Sequence, residues 1–370
     1  MGLMTRAARG PATPARARYV TGKPRPGHAR GRGKPSIPAV QAPRARAPRV
    51  TTLTASDGVP LHVEESGPDD AELTLVFVHG FCMTADAWSF QRRNLADLGR
   101  TVCYDQRAHG RSGPSDAGHC TITQLADDLR RVIEDRVPTG PIVLVGHSMG
   151  GMAILGLAEA HPELFDDRVV AVALLSTSAG GLARSLLGLP AAVANAVRRA
   201  LPGVAVAMRH SPPLLERTRL RGSSVSKALT RRLGFGTTRV PDAVVGRLEA
   251  MIADTPIPVV GAFLHTLLDH DRLAAAGVLR DVPTLLLVGD ADVMTPLEHS
   301  RTLAEALPQA ELSVEAGAGH AVILERPNAV SARIRELVNR AAPVRRRRRT
   351  GSQVPGHEAG PSRELLRSLP

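Results

Sequence analysis

Six runs of strand length, continuously apolar or nearly so, dominate this 370-residue sequence: "LTLVFVHG" (73–80), "RTVCYDQ" (100–106), "PIVLVGHS" (141–148), "VVAVALLST" (169–177), "PTLLLVGD" (283–290) and "AELSVEAGAGH" (310–320). A strand with one wet face alternates apolar and polar residues, whereas an unbroken apolar strand is covered on both faces, as in a parallel sheet. Helical patterns fall between the runs, at 121–136, 151–161, 296–307 and 327–341. Such alternation predicts an α/β fold whose parallel sheet carries helices on both sides. The stretch "VTTLTASDGVPLHVEES" (50–66) differs, alternating in polarity around Asp57-Gly58, and reads as an antiparallel hairpin at the sheet edge. The expected sheet therefore has eight strands.

One spacing breaks the rhythm. About 100 residues separate Thr177 from Pro283, in an Ala/Leu/Arg-rich interval broken by Pro190, Pro202, Pro212-Pro213 and Gly222. That is too long for a crossover, so 180–275 reads as an inserted helical cap dividing the core into 50–179 and 276–343. The flanks, 1–49 and 344–370, are rich in Arg, Pro, Ala and Gly and carry too little apolar surface to offset chain entropy. Both are expected to be disordered.

The net charge of +12 belongs to particular segments. Residues 1–50 hold 12 Lys/Arg and no acid, 344–370 carry +5 and 51–343 carry −5; within that core 181–280 carry +8. Basic tails and a basic cap suit weak contact with anionic lipid or a polyanion, but the acidic remainder offers no specific nucleic-acid surface. No apolar run reaches the roughly 18–20 residues that span a bilayer. The basic N-terminus lacks the apolar stretch of a secretory signal. Cys82, Cys103 and Cys120 form neither a disulfide framework nor a metal-ligand pattern. Reduced thiols and a cytoplasmic setting are expected, with Cys103 a small core residue.

The chemistry starts at Gly146-His147-Ser148-Met149-Gly150. The serine of such a pentapeptide, between a strand and a helix, takes a strained backbone on a sharp turn, and Gly146 and Gly150 remove side chains that would collide there. Ser148 is then presented as a nucleophile at the N-terminus of a helix, where N–H groups and the helix dipole favour developing negative charge.

A nucleophilic serine needs a base, and the base an orienting acid. His320 follows the last strand, in a loop at the carboxyl edge of the same sheet. His79 and His147 flank motif residues and read as packing or local hydrogen-bonding groups. His62, His161, His299 and His357 have no active-site context, His265 and His270 lie in the cap, and His109 lies in a loop on the catalytic side. Asp290 and Asp292 both follow the strand "TLLLVG"; Asp290 suits the turn and Asp292 the histidine. An oxyanion hole needs two converging donors, and the backbone N–H groups of Phe81 and Met149 are placed to supply them.

With these residues in view the chain resembles an α/β-hydrolase fold enzyme of the serine-nucleophile, capped, esterase/lipase-like kind. "HGF" (79–81), "DQRAHGRS" (105–112), "GHSMGG" (146–151), "GDADVMTP" (289–296) and "GAGH" (317–320) are similar to that family's blocks in order, over residues 51 to 341. Ala108 departs from the glycine usual there and should tighten the backbone. Family members with an aspartate nucleophile are epoxide hydrolases and haloalkane dehalogenases, and Ser148 argues against both. The resemblance implies cleavage of a small, apolar ester through an acyl-enzyme, without metal or organic cofactor. The same residues would serve perhydrolase or haloperoxidase chemistry, or carbon–carbon bond hydrolysis. A non-catalytic binding member would not need the intact Ser148, Asp292 and His320.

Overall fold

The computed structural model describes residues 18–21, 47–182, 199–200, 203–210, 223–236 and 239–351. Eight strands, β2 (Arg49–Thr54), β3 (Pro60–Ser66), β4 (Thr74–Val78), β5 (Arg100–Tyr104), β6 (Ile142–His147), β7 (Val169–Leu175), β8 (Thr284–Gly289) and β9 (Glu311–Glu315), form the expected sheet. A short ninth strand, β1 (Arg18–Thr21), completes the order β1-β9-β8-β7-β6-β4-β5-β3-β2. The hairpin β2–β3 and the β3–β5 pair are antiparallel; every other pair is parallel.

The unbroken apolar strands divide their side chains between the two faces with period two. Val76, Val78, Val102, Tyr104, Leu144 and Leu286 face one cluster with helices α2 (Ile122–Arg136) and α3 (Met149–Ala160). Leu75, Phe77, Cys103, Val145 and Leu287 face the other, with the single tryptophan, Trp88, and Ile334 and Leu337. α1 (Ser89–Asn94) and the C-terminal helix lie on that second side. A fully buried leucine or phenylalanine contributes about 1.5–3 kcal/mol, so aliphatic packing on two faces replaces the missing aromatics. Cys82, Cys103 and Cys120 form no disulfide and are buried. Burial pushes the Cys103 thiol up to about 12, as befits a core residue.

Two expectations for the flanks need correction. Tyr19-Val20-Thr21, in the segment expected to be disordered, pairs parallel with Leu312-Ser313-Val314. β9 would otherwise present an open edge of unpaired N–H and C=O groups, and an aromatic next to two β-branched residues suits it. At the other end the C-terminal helix begins at Pro327 and continues to Gly351, past the boundary expected at 343. Arginine is a good helix former, so its run extends the helix backbone. The remaining residues of both tails lie outside the described residues.

Between β7 and β8 the chain leaves the sheet. Gly180 bridges Asp271 there, and the Arg272 N–H donates to the Ala179 carbonyl at 2.6 Å. The helices described in this insertion include α5 (Ser224–Gly234), α6 (Asp242–Asp254) and α7 (Ile257–Leu268). Among the described residues no single helix is long and apolar enough to cross a membrane; α6 and α7 reach that length only together, with a 93° bend between them. The remaining helices are α4 (Glu163–Asp167), which follows α3, and after the insertion α8 (Leu297–Ala306), α9 (Val322–Glu325) and α10 (Pro327–Gly351).

Candidate active site

Backbone strain gathers at one edge of the sheet. Among the described residues four non-glycine positions have positive φ: Cys82 (55°), Ala108 (60°), Ser148 (52°) and Ser176 (44°). They follow the carboxyl ends of β4, β5, β6 and β7 in turn. Such conformations cost of order 1–3 kcal/mol each and persist where the surroundings over-determine them. Ala108 occupies the loop position where glycine was expected, and its φ confirms the tightening. Because Ala in this region costs about 1–2 kcal/mol and glycine's extra chain entropy returns about 0.5–1, Ala108→Gly should stabilise the fold by up to about 1 kcal/mol. A urea midpoint raised at unchanged slope is the expected result.

At Ser148 the over-determination is visible atom by atom. Its φ and ψ are 52° and −119°, and α3 starts at the next residue. A Cβ on Gly146 would lie 2.7 Å from the Gly150 carbonyl group, one on Gly150 would press into the Val78 carbonyl, and one on Gly151 would lie 2.6 Å from Thr177 Oγ1. The Ser148 N–H donates to Leu175 O at 2.9 Å, and its own carbonyl accepts from Thr177 Oγ1 at 2.7 Å. Both expected elbow glycines are thus sterically required.

His320 and Asp292 come to this serine from β9 and β8. Ser148 Oγ lies 3.0 Å from His320 Nε2, and His320 Nδ1 lies 3.0 and 3.1 Å from the two Asp292 oxygens. Nδ1–H donating to the carboxylate leaves the Nε2 lone pair for the serine hydroxyl. Asp292 accepts further from the N–H groups of Met294 and Thr295, each 2.9 Å, and from Thr295 Oγ1 at 2.8 Å. Burial alone would raise this carboxyl, but the facing His320 and the hydrogen bonds from His320 and Thr295 outweigh it and hold it below the usual range. Asp290, the alternative acid, instead accepts the Gly317 N–H at 2.6 Å and serves the turn.

The His79-Gly80-Phe81 turn runs beside the serine, since a Cβ on Gly80 would lie 3.2 Å from Ser148 Cβ. Phe81 N–H belongs to this turn, and Met149 N–H to the first turn of α3, where amides have no intrahelical acceptor. Asp105, fully buried, accepts from Ala85 N–H at 2.7 Å and Arg111 N–H at 2.9 Å, tying the loop after β4 to that after β5.

The remaining histidines divide cleanly. His79 Nδ1–H donates to Gly80 O (2.8 Å) while Nε2 accepts from Gln106 N–H (2.8 Å), a local role. His147 goes further than expected, its Nε2–H donating to the His320 carbonyl at 2.9 Å. Burial, aided by the nearby His320, pushes His147 down to about 3, so it stays neutral. His109 is buried with its ring against Phe81, His79 and Phe263 of α7, at centroid separations of 6.0, 5.5 and 5.4 Å. His62 pairs with Glu64, His161 with Glu163 and His299 with Ser178, away from Ser148; His357 lies outside the described residues. Thr295 was not anticipated, although an aspartate accepting amides two and three residues on is a recognisable local signature. A cleft of about 630 Å³ opens between α6 and the loops after β4 and β5, lined by Thr84, Asp86, Arg111, Arg247 and Met251 among others; none of Ser148, His320 and Asp292 lines it.

The family model for the alpha/beta hydrolase fold matches residues 74–327. The chain belongs to this family. Among hydrolase-fold relatives it is 28% identical to the non-heme chloroperoxidase CPO-A1 of Kitasatospora aureofaciens, over 73% of this chain and 92% of that one. Among solved structures it is similar to a thermophilic esterase from Thermogutta terrifontis (27% identity, TM-score 0.62, covering 79% of this chain and 99% of that one). A putative aryl esterase from Burkholderia cenocepacia is comparable, with 26% identity, TM-score 0.63, and 80% and 100% coverage.

Proposed function

We propose that this hydrolase-fold protein is a serine hydrolase that cleaves a carboxylic ester, or a related acyl bond, of a small apolar substrate through an acyl-enzyme. The observation that carries the reading is the unbroken hydrogen-bond path from Ser148 Oγ through His320 to Asp292. Ser148 Oγ attacks the carbonyl carbon as His320 Nε2 takes its proton; Asp292 holds the ring and stabilises its cation. The developing oxyanion accepts from the Phe81 and Met149 N–H groups. His320 returns the proton to the leaving alkoxide, then activates the water that releases the acid. The apolar preference is supported by Phe81 and Phe263, whose rings lie 6.1 Å apart where α7 of the inserted cap meets the oxyanion loop. Esterase relatives support the bond type.

A series of p-nitrophenyl esters of increasing acyl length tests the substrate class. Activity should be present for acetate and butyrate and at least about 10⁴-fold lower in Ser148→Ala. A folded protein that neither hydrolyses any ester nor accepts a fluorophosphonate on Ser148 would overturn the reading. The chloroperoxidase relative favours one second reading, in which hydrogen peroxide replaces water on the acyl-enzyme and releases a peracid that oxidises halide. Peroxide-dependent bromination of a dye, stimulated by acetate, is the result expected of it.

A further inference from the structure

The turn that carries His320 is clamped on two sides by backbone. On one side lies β8 and the Asp292 loop, where Ala291 N–H donates to Ala318 O at 3.0 Å. On the other lies the end of α5, in the β7–β8 insertion. A Cβ on Gly236 would lie 2.7 Å from the Ala318 carbonyl carbon, and one on Gly319 would lie 2.5 Å from both Gly236 N and the Phe235 carbonyl carbon. Main chain touches main chain here because both residues lack side chains.

Hydrogen bonds complete the contact. Ala321 N–H donates to Gly234 O at 2.7 Å. Glu325, buried at the end of α9, accepts from two amides with a single oxygen: Gly319 N–H at 2.8 Å and Gly236 N–H at 3.1 Å. One of these amides immediately precedes His320; the other belongs to the insertion. Two amide donors from separate segments, meeting on one carboxylate oxygen in a buried setting, make a stiff joint.

We infer that Glu325 is a positioning residue that latches the inserted cap to the His320 turn, so that the seating of the cap sets the alignment of His320 on Ser148. The inference rests on the serine-hydrolase reading. A cap lifted at Phe235-Gly236 releases Gly319 on that side, leaving His320 held by Asp292 and by the His147 bond to its carbonyl. Docking of the cap then completes the base, and unseating it switches the base off.

Three variants and two readouts test the latch. Displacement of a catalytic group by about 1 Å can cost up to about 100-fold, so Glu325→Ala should lower kcat by about 10–100-fold with KM within about threefold. Glu325→Gln should keep kcat within about threefold of the parent, because one amide oxygen can accept both N–H groups. Gly236→Ala, which wedges a methyl group from the cap side of the joint against Gly317 and Ala318, should reproduce the kcat loss and slow fluorophosphonate labelling of Ser148 in proportion. Thermal melts confirm that each variant is folded, and should Glu325→Ala not fold, Gly236→Ala and Glu325→Gln decide the matter. Unchanged kcat and labelling in folded Glu325→Ala or Gly236→Ala, a change in KM alone, or an equal loss in Glu325→Gln would overturn the latch. Parent protein that takes no fluorophosphonate would instead overturn the hydrolase reading beneath it.

Discussion

Ser148→Ala should leave a folded protein whose kcat for p-nitrophenyl acetate has fallen by about 10⁴–10⁶-fold, the range found when the nucleophile of such a set is removed. On the proposed mechanism the hydroxyl bonds to the acyl carbon and gives its proton to His320 Nε2, 3.0 Å from it. On that mechanism residual rate would come from the proposed oxyanion donors and from binding, which the substitution leaves in place. The melting temperature should barely move, because alanine at φ 52° bears the same backbone strain as serine. Asp292→Asn should cost about 10⁴-fold by a different route. The amide keeps the shape but its NH2 faces Nδ1, favouring the wrong ring tautomer and removing the charge that offsets the imidazolium. Its effect should therefore fall on kcat with little change in KM. Mass spectrometry after fluorophosphonate treatment gives the independent reading: one adduct per chain in the parent and none in Ser148→Ala. More than a tenth of parental activity in folded Ser148→Ala would remove Ser148 from the chemistry.

The sharp turn at Ser148 was legible because most of its causes are local. A buried strand, a residue at φ 52° and Gly146, crowded by the Gly150 carbonyl four residues on, all leave their mark in eleven consecutive letters, although the crowding of Gly150 comes from Val78 on a neighbouring strand. That Asp292, and not Asp290, meets His320 was legible too, since the residue nearer the strand end is the natural cap of the turn and indeed accepts the Gly317 amide. What escaped depends on chain segments far apart. β1 exists only as a partner for the β9 edge, and its four residues show no pattern of their own among the arginines around them. His147 resembles any buried histidine until the fold brings the carbonyl of His320 to its Nε2. Nothing in the sequence near Glu325 announces that the Gly236 and Gly319 amides will both reach it. Periodicity reports which face a residue occupies, whereas a bond between two loops leaves no period.

The largest loss of stability is expected at Arg107, in the loop after β5. Its side chain is fully buried, with Nε and Nη2 each 2.7 Å from an Asp128 oxygen on α2. Nη1 and Nη2 also reach Asp57, in the β2–β3 turn, at 2.7 and 3.1 Å, and Nη1 reaches Ser115 Oγ at 3.1 Å. One guanidinium thus joins the edge hairpin, the loop holding Ala108 and His109, and the helix packed on α3. Arg107→Met strands the Asp128 carboxylate in a dry site, and breaking a buried pair from one side costs about 3–5 kcal/mol. Urea unfolding at pH 7 should register a loss of that size. The hydrogen bonds and charge of Arg107 also hold the Asp57 carboxyl below its ordinary range. A carboxyl depressed on folding stabilises the native state above its unfolded value, near pH 3.9, and loses that contribution as pH falls through the folded value. The gap between parent and Arg107→Met should narrow as pH falls, beginning above pH 4 because burial raises the Asp128 carboxyl and continuing below about pH 4 as the Asp57 contribution is lost. Arg107→Met combined with Asp128→Leu should recover much of the loss at pH 7, because the penalty arises from an unpaired buried charge more than from the attraction removed. Activity should recover less than stability, since methionine and leucine fill the space without fixing the loop that carries His109 toward Phe81 and Phe263.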